Sequence, residues 1–354
     1  MLKKSDWQKL ILSFGLMTAS AAILCYYFYF GQEGTVWITN PNKDNFLGIT
    51  QFNHRSKLDG TGVATIEDET PDVVGVMIDG HFDALPLNGV NEAAIIYEAP
   101  MEGVTSRFLA IYPIGDEQNV SEVGPVRSAR PYFLDWLAEY GDALYMHCGG
   151  SPEALGLIKE RKIFDANEFY WGNYYWRDHN RTAPYNLFTA SQQWNLIFDK
   201  YGEKHPGWSW EGWLFDSNPT IIASSESVTE IKIRYGRGFE VVWKYNLDNR
   251  NYERWLNGEK MLDGNGQPIT AENILVQYAT MITLDNVGRR QIETIGEGEA
   301  RIFRRGEMIR GIWKKDGRPE RTRFYNKDMT EIFLIPGKIW LMIVPENLAI
   351  EISV

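Results

Sequence analysis

Apolar residues fall in short runs of strand length along much of the chain. VVGVMI (73–78), AAIIYE (93–98) and RFLAIYP (107–113) are rich in β-branched and aromatic residues and predict three strands. A helical period follows in SEVGPVRSARPYFLDWLAEYG (121–141), where Tyr132, Phe133, Trp136, Leu137 and Tyr140 share one face and Ser128 is placed to cap the start. ALYMHCGGSPEALGLIKERK (143–162) then reads as strand, Gly-Gly turn and helix. Ser151 supplies an N-cap oxygen, Pro152 fits the first helical position, and Ala154, Leu155 and Ile158 face a core. Strands alternating with helices predict an α/β or α+β N-terminal domain.

The texture changes after a polar stretch, DSNPTIIASSESVTE (216–230). IKIRY, FEVVWKYN, ILVQYATMITL, ARIFRRGEMIRGIW and IFLIPGKIWLMIVP predict a mostly β C-terminal domain, with turns at Asn257-Gly258 and Arg305-Gly306. The predicted layout is a membrane anchor or signal at 1–30, a linker at 31–70, an N-terminal domain at 71–215, an interdomain linker at 216–230 and a C-terminal domain at 231–354.

Leu10 to Phe30 runs for 21 residues without a charge. At about 1.5 Å per residue it matches the roughly 30 Å of a bilayer core, so a single N-terminal transmembrane helix is expected. Lys3, Lys4 and Lys9 precede it, which places the N-terminus in the cytoplasm and the bulk of the chain outside. The alternative is a cleaved signal or lipid attachment at Cys25, against which stands Leu24, where a small residue is wanted.

Composition narrows the classes. With 354 residues, 44% of them hydrophobic, the chain can bury more than one core, and its net charge of -11 argues against nucleic acid as a partner. Two cysteines cannot form a disulfide framework. No HExxH, His-rich triplet or cysteine cluster marks a metal site, and no cofactor is expected.

The candidate chemistry is electrostatic. Arg127 and Arg130 stand at a predicted helix N-terminus, where the macrodipole favours anions, so a negative group should compensate them. Glu98, Glu102 or Glu122 could do so internally; a bound phosphate, pyrophosphate or carboxylate is the functional alternative. Gly149, Gly150 and Ser151 either form a plain strand-to-helix turn or let backbone N–H groups approach an anion. His147 and Cys148 leave opposite faces of a strand, which disfavours a thiol mechanism, and His147 either lines a site or is a bonded core residue. Asp79 and His81 lie on one side of a strand end, as an acid/base pair or, with Glu98 and His147, as metal ligands. The aromatics of FYWGNYYWRDHNRTAPYN (169–186), with Trp208, Trp210 and Trp213, either fill a core or stack on glycans.

VGVMIDGHFDALPLNGVNEAAIIYEAPMEGVTSRFLAIY, VGPVRSARPYFLDWLAEYGDALYMHCGGSPEAL and RDHNRTAPYNLF resemble the first domain of the YerB-like family of bacterial envelope lipoproteins. EGEARIFRRGEMIRGIWKK and RTRFYNKDMTEIFLIPGKIWLMIVP resemble its second, β-rich domain. The resemblance implies a two-domain secreted or surface-anchored protein and brings no enzymatic activity with it. Carried onto this chain, the family pattern points to Asp79, His81, Glu98, Glu102, Arg107, Arg127, Arg130, His147, Gly149, Gly150, Ser151, Arg181 and Asn186. Cys148 stands where the family usually has Ala, and Tyr185 where it usually has His.

Three functions follow as expectations. One is binding of an anionic envelope ligand (a polymer phosphate, lipid-linked phosphate or pyrophosphate) through Arg107, Arg127, Arg130, Gly149, Gly150, Ser151, Arg181 and Asn186. The second is cell-wall hydrolysis with Asp79, His81, Glu102 and His147 as catalytic groups. The third is a non-catalytic glycan-binding or assembly module. The oligomeric state is not legible.

Overall fold

The computed structural model describes residues 35–38, 47–50, 54–103, 105–115, 119–205, 209–216, 225–236 and 238–354. Its contacts divide the chain into two units: Ser56–Thr61 with Ile66–Val354, and Met1–Arg55 with Gly62–Thr65. In the second, Thr35–Ile38 pairs antiparallel with Leu47–Thr50, and His54–Arg55 with Gly62–Val63. The expected transmembrane segment, 10–30, lies outside the described residues. No helix among the described residues is long and apolar enough to cross a membrane.

The larger unit begins with three strands, β1 (Val73–Asp79), β2 (Ile95–Pro100) and β3 (Ser106–Pro113). Helix α1 (Pro131–Leu137) continues into a 3₁₀ turn, Ala138–Tyr140. Strand β4 (Leu144–His147), helix α2 (Pro152–Glu160), strand β5 (Asp165–Asn167) and helices α3 (Glu168–Trp171) and α4 (Ser191–Tyr201) follow. The remainder is strand: β6 (Glu226–Ser227), β7 (Glu230–Gly236), β8 (Phe239–Asn246), β9 (Asn251–Leu256), β10 (Glu259–Lys260), β11 (Thr270–Ala271) and β12 (Asn273–Ala279). Then come β13 (Met281–Thr283), β14 (Arg290–Ile292), β15 (Gly296–Arg304), β16 (Glu307–Lys315), β17 (Arg323–Asn326), β18 (Ile339–Pro345) and β19 (Ile350–Ser353). The N-terminal part is thus mixed α/β and the C-terminal part strand-rich.

The helix in 121–141 starts later than the sequence predicts. Ser128 does not cap it; Arg130 occupies the N-cap position in extended conformation, as steric contact with Pro131 requires. Ser151 does cap α2, its hydroxyl accepting from Ala154 N at 3.2 Å. Asn257 and Gly258, like Arg305 and Gly306, take the positive φ values of a tight hairpin turn, as their sequences predict.

One eleven-stranded sheet runs through both halves in the order β6-β16-β15-β12-β18-β2-β3-β1-β4-β5, with β17 on β16. The halves meet where β2 pairs parallel with β18, Ile95 opposite Ile339 through Glu98 opposite Met342. Every residue of β1 is buried. Both faces of its sheet are covered, which is why VVGVMI lacks polar alternation. Val73 and Met77 pack in the core that holds α1, whereas Val74, Val76 and Ile78 share the other core with Trp194 of α4 and with Ile231, Trp243 and Tyr252 of a second, six-stranded sheet. That sheet has the order β10-β9-β8-β7-β19, with β11 on β9. At Gly75 a side chain would meet Leu137 Cδ1 at 2.6 Å, so the glycine lets α1 lie close on the strand. Leu58, within the expected linker, is also buried in this core.

Two buried carboxylates of the N-terminal half are matched by the C-terminal half. Glu98, 0% exposed, accepts from Arg254 Nη2 at 2.8 Å, Trp340 Nε1 at 2.7 Å and Ser106 Oγ at 2.7 Å. Glu139 accepts from Lys315 Nζ at 2.7 Å, Thr322 Oγ1 at 2.6 Å and Arg321 Nη1 at 3.2 Å. Removing one partner of such a buried pair typically costs about 3–5 kcal/mol, because the other charge is left uncompensated. Glu139→Gln should therefore lower unfolding stability by about that amount in a urea titration. Residues 66–354 should unfold in one calorimetric transition; two separated transitions would show the halves to be independent.

Candidate functional site

The carboxyl edge of the central sheet collects the ends of β1, β2, β4 and β5 and the start of β3. Between β1 and β4 the parallel pairing covers Val74–Val76 against Leu144–Met146. Beyond it, segment 125–130 enters between the two strands. Arg127 N donates to Met77 O at 2.9 Å, Asp79 N donates to Pro125 O at 3.0 Å, and Cys148 N donates to Arg127 O at 3.0 Å. On the other side Ala129 N donates to Gly149 O at 2.9 Å and Ser151 N to Ala129 O at 3.3 Å. This insertion opens the sheet edge and sets Arg127 and Arg130 on it, the kind of place where α/β sheets bind ligands.

Three guanidiniums meet there with two carboxylates. Arg127 Nε lies 2.5 Å from Asp79 Oδ2. Arg130 grips Glu102 with both edges, Nε to Oε1 at 2.8 Å and Nη2 to Oε2 at 3.0 Å, the strong fork geometry. Arg107 stands opposite Asp79 in the β1–β3 register and is only 6% exposed. Its Nη1 donates to Ser128 O at 3.0 Å, and its Nε has no partner among the described residues. Burial pulls the Arg107 guanidinium down to about 10; Arg130 and Arg127 push the same way against Asp79. Among the described residues, one positive charge in this cluster is unmatched.

The arrangement corrects several expectations. Glu102, assigned to catalysis, compensates Arg130, while Glu98 is taken by Arg254 and Glu122 by Asn88 Nδ2. Asp79 and His81 do not form an acid–imidazole pair. The Asp79 carboxylate accepts the backbone N–H of His81 at 3.1 Å, and His81 Nδ1 accepts from Asp83 N at 3.1 Å. His147 is 0% exposed, with its ring nitrogens 2.7 Å from Gly149 O and 2.7 Å from Asp165 Oδ1. Both ring nitrogens are thus engaged by groups of the fold, which holds the ring in place and away from solvent.

The Gly-Gly turn is occupied by the fold itself. Gly149 has φ of +62° and donates to Asn167 Oδ1 at 3.0 Å. A side chain on Gly150 would crowd Ala129 at 3.2 Å, so the second glycine admits the inserted segment. With the Ser151 hydroxyl spent on the helix cap, the anion cradle expected at Gly149, Gly150 and Ser151 is a structural turn. Arg181 instead ties down a neighbouring loop through the carbonyls of Pro86, at 2.9 Å, and Ala84. Asn186 accepts from Arg177 Nη1 at 3.1 Å. Neither joins the arginine cluster. The Cys148 thiol is pushed up by burial and by Glu168, the opposite of what an activated nucleophile needs.

Aromatic residues divide between core and rim. Trp210 and Trp213 are buried, whereas Phe169 and Tyr170 are 67% and 85% exposed; Trp208 lies outside the described residues. Tyr185 borders the cluster, its ring centroid 5.6 Å from the Arg127 guanidinium carbon and its plane stacked on His81. Sequence reasoning did not place Tyr185 beside Arg127, because no local spacing links the two. Among the described residues no three His, Cys, Asp or Glu side chains form a metal set.

Two family models match the chain: the N-terminal domain of a protein of unknown function, DUF3048, over residues 60–203, and its C-terminal domain over 231–341. A Bacillus subtilis (strain 168) relative named "Putative lipoprotein YerB" is 30% identical over 291 residues, spanning 79% of this chain and 83% of the relative. The chain belongs to the DUF3048 family. The crystal structure of the YerB protein from Bacillus subtilis has a TM-score of 0.73 at 28% identity, covering 85% of this chain and 99% of that one. The resemblance carried by GPVRSARP and the HCGGSPEAL segment thus reflects family membership. In this DUF3048 chain the first motif is the inserted segment, and the second is the turn it rests on.

The Glu102 carboxyl shows how the cluster responds to pH. Burial raises its pKa, and the Arg130 hydrogen bonds and charge overcome this to hold it below its ordinary 4.5. Its folded-state pKa being depressed, the pair contributes stability fully present above 4.5 and lost as pH falls through the lowered value. Glu102→Gln should make the fall of Tm between about pH 5 and about pH 3 shallower than in the parent chain, measured by calorimetry.

Proposed function

We propose that this DUF3048 protein is held at the bacterial membrane by its N-terminal segment and binds an anionic group of an envelope ligand, a phosphate or pyrophosphate ester, at Arg107, Arg127 and Arg130. The observation that carries the reading is Arg107: a buried guanidinium with a donor unused, in a cluster where positive charge exceeds negative. Such a group is costly to keep unless a counter-ion completes it. An anion between the arginines would take the spare donor and balance the charge, and Tyr185 and His81 would supply a wall for the attached group. Hydrolysis finds less support, since Asp79, Glu102 and His147 all have partners that hold them in place.

Arg107→Met separates binding from folding. Pyrophosphate affinity, measured by calorimetric titration, should fall at least about tenfold, while Tm stays level or rises, because a buried charge is replaced by an apolar chain of similar length. Unchanged affinity would remove the proposal. A loss of Tm would make Arg107 structural.

The membrane assignment rests on the uncharged run Leu10 to Phe30 and on the relative named "Putative lipoprotein YerB". An uncleaved anchor does not need Cys25. Cys25→Ser should leave the protein in the membrane fraction at its original mass; release into the medium would instead favour lipid attachment at that cysteine.

A further inference from the structure

At its far end the helical segment that begins with Arg130 borders a cavity of about 390 Å³, lined by Glu139, Ser209, Trp210, Arg318, Glu320 and Arg321 among others. Its size falls within the range of small-ligand sites. Arg321 is 6% exposed and fixed on three sides. Its Nε donates to Glu211 O at 2.9 Å, and its Nη1 reaches Glu139 Oε2 at 3.2 Å and Tyr97 OH at 3.4 Å. Its guanidinium carbon lies 4.2 Å from the Tyr140 ring centroid and 4.7 Å from that of Trp213. Nη2 is left without a partner among the described residues. A buried guanidinium with one nitrogen unfilled, on the wall of a cavity, is an acceptor-seeking group in a fixed orientation.

The charges around it point to an anion. Glu139 is shared between Lys315 and Arg321, Glu211 is drawn toward Lys57, and Arg323 is matched by Glu331. Arg318 also lines the cavity and has no ion pair or hydrogen bond among the described residues. The lining itself carries three carboxylates, Glu139, Glu211 and Glu320, and three cations, Arg318, Arg321 and Arg323; with the ion-pair partners Lys315, Lys57 and Glu331 included, four carboxylates stand against five cations. We propose that this cavity is a second ligand site, distinct from the Arg107 cluster, which takes a small molecule through an anionic oxygen, carboxylate or phosphate, held between Arg321 and Arg318 with Trp210 as one wall. The Arg321 stack predefines the direction of approach, and Arg318 supplies the movable second donor.

The test uses the full chain carrying Arg107→Met, so that the first cluster does not contribute, and titrates inorganic phosphate and sodium acetate separately at constant ionic strength by calorimetry. One equivalent of at least one anion should bind, and the stronger of the two identifies the source of the oxygen. Arg318→Gln added to this background should weaken that binding at least about tenfold with no change in Tm, since Arg318 supports no other group. Absence of binding by both anions, or binding that survives Arg318→Gln, overturns the second site. Neither outcome bears on pyrophosphate binding by the parent chain at Arg107, so the two readings fail independently.

Discussion

Glu98 and Glu139 enter the interior from the N-terminal half and meet their counter-charges only in the C-terminal half. Taking a carboxylate out of water costs several kcal/mol even after relaxation, and attraction to a partner offsets this only where the geometry is good and the remaining acceptor sites are filled. Glu98 meets that condition through Arg254, Trp340 and Ser106, with Arg254 itself packed against the rings of Trp340, Trp243 and Phe108. Glu139 meets it through Lys315, Arg321 and Thr322. Neither half could bury these groups by itself. The two regions matched by separate family models therefore share one sheet and one set of cores.

The same seam positions the arginine cluster. Strand β2 is held against β18 and anchored by Glu98, and the chain beyond it delivers Glu102 to Arg130. The C-terminal half also grips this loop directly: Arg290, in the hairpin of β13 and β14, donates to Met101 O at 2.9 Å and Gly103 O at 3.2 Å. Charge balance at the carboxyl edge of the sheet thus depends on residues far along the chain. The inserted segment 125–130 completes the arrangement, since its main chain continues the pairing that β1 and β4 abandon. Arg127 bonds through its backbone to Met77 on one side and Cys148 on the other, and Ala129, next to Arg130, bonds to Gly149 and Ser151, so the guanidiniums are placed before any ligand arrives.

Helix α1 and its 3₁₀ extension link two places of the same kind. At each end a buried arginine keeps one nitrogen unfilled among the described residues: Arg107 beside Arg130, and Arg321 beside Glu139. In most protein interiors such donors find acceptors, because the desolvated N–H otherwise costs free energy. The difference lies in the surroundings. The first sits at a sheet edge among other guanidiniums, the second between aromatic rings next to a cavity.

Local pattern by itself determined the strands 73–79, 106–113 and 144–147, the capped helix after Ser151, the aromatic face of Tyr132 to Tyr140 and the hairpin turns at Asn257-Gly258 and Arg305-Gly306. These depend on periodicity, capping and turn chemistry, which act over a few residues. The sequence also marked Arg127 and Arg130 as needing negative charge, with Glu98, Glu102, Glu122 or a bound anion to supply it. Only the tertiary structure decided which charge met which: that Asp79 serves Arg127 and not His81, that His147 is enclosed between Asp165 and Gly149, and that Glu98 and Glu139 belong to cations of the other half. Ion-pair partners are chosen by distance in space and by the loss of water around them, and neither quantity is written in the spacing of residues along a chain.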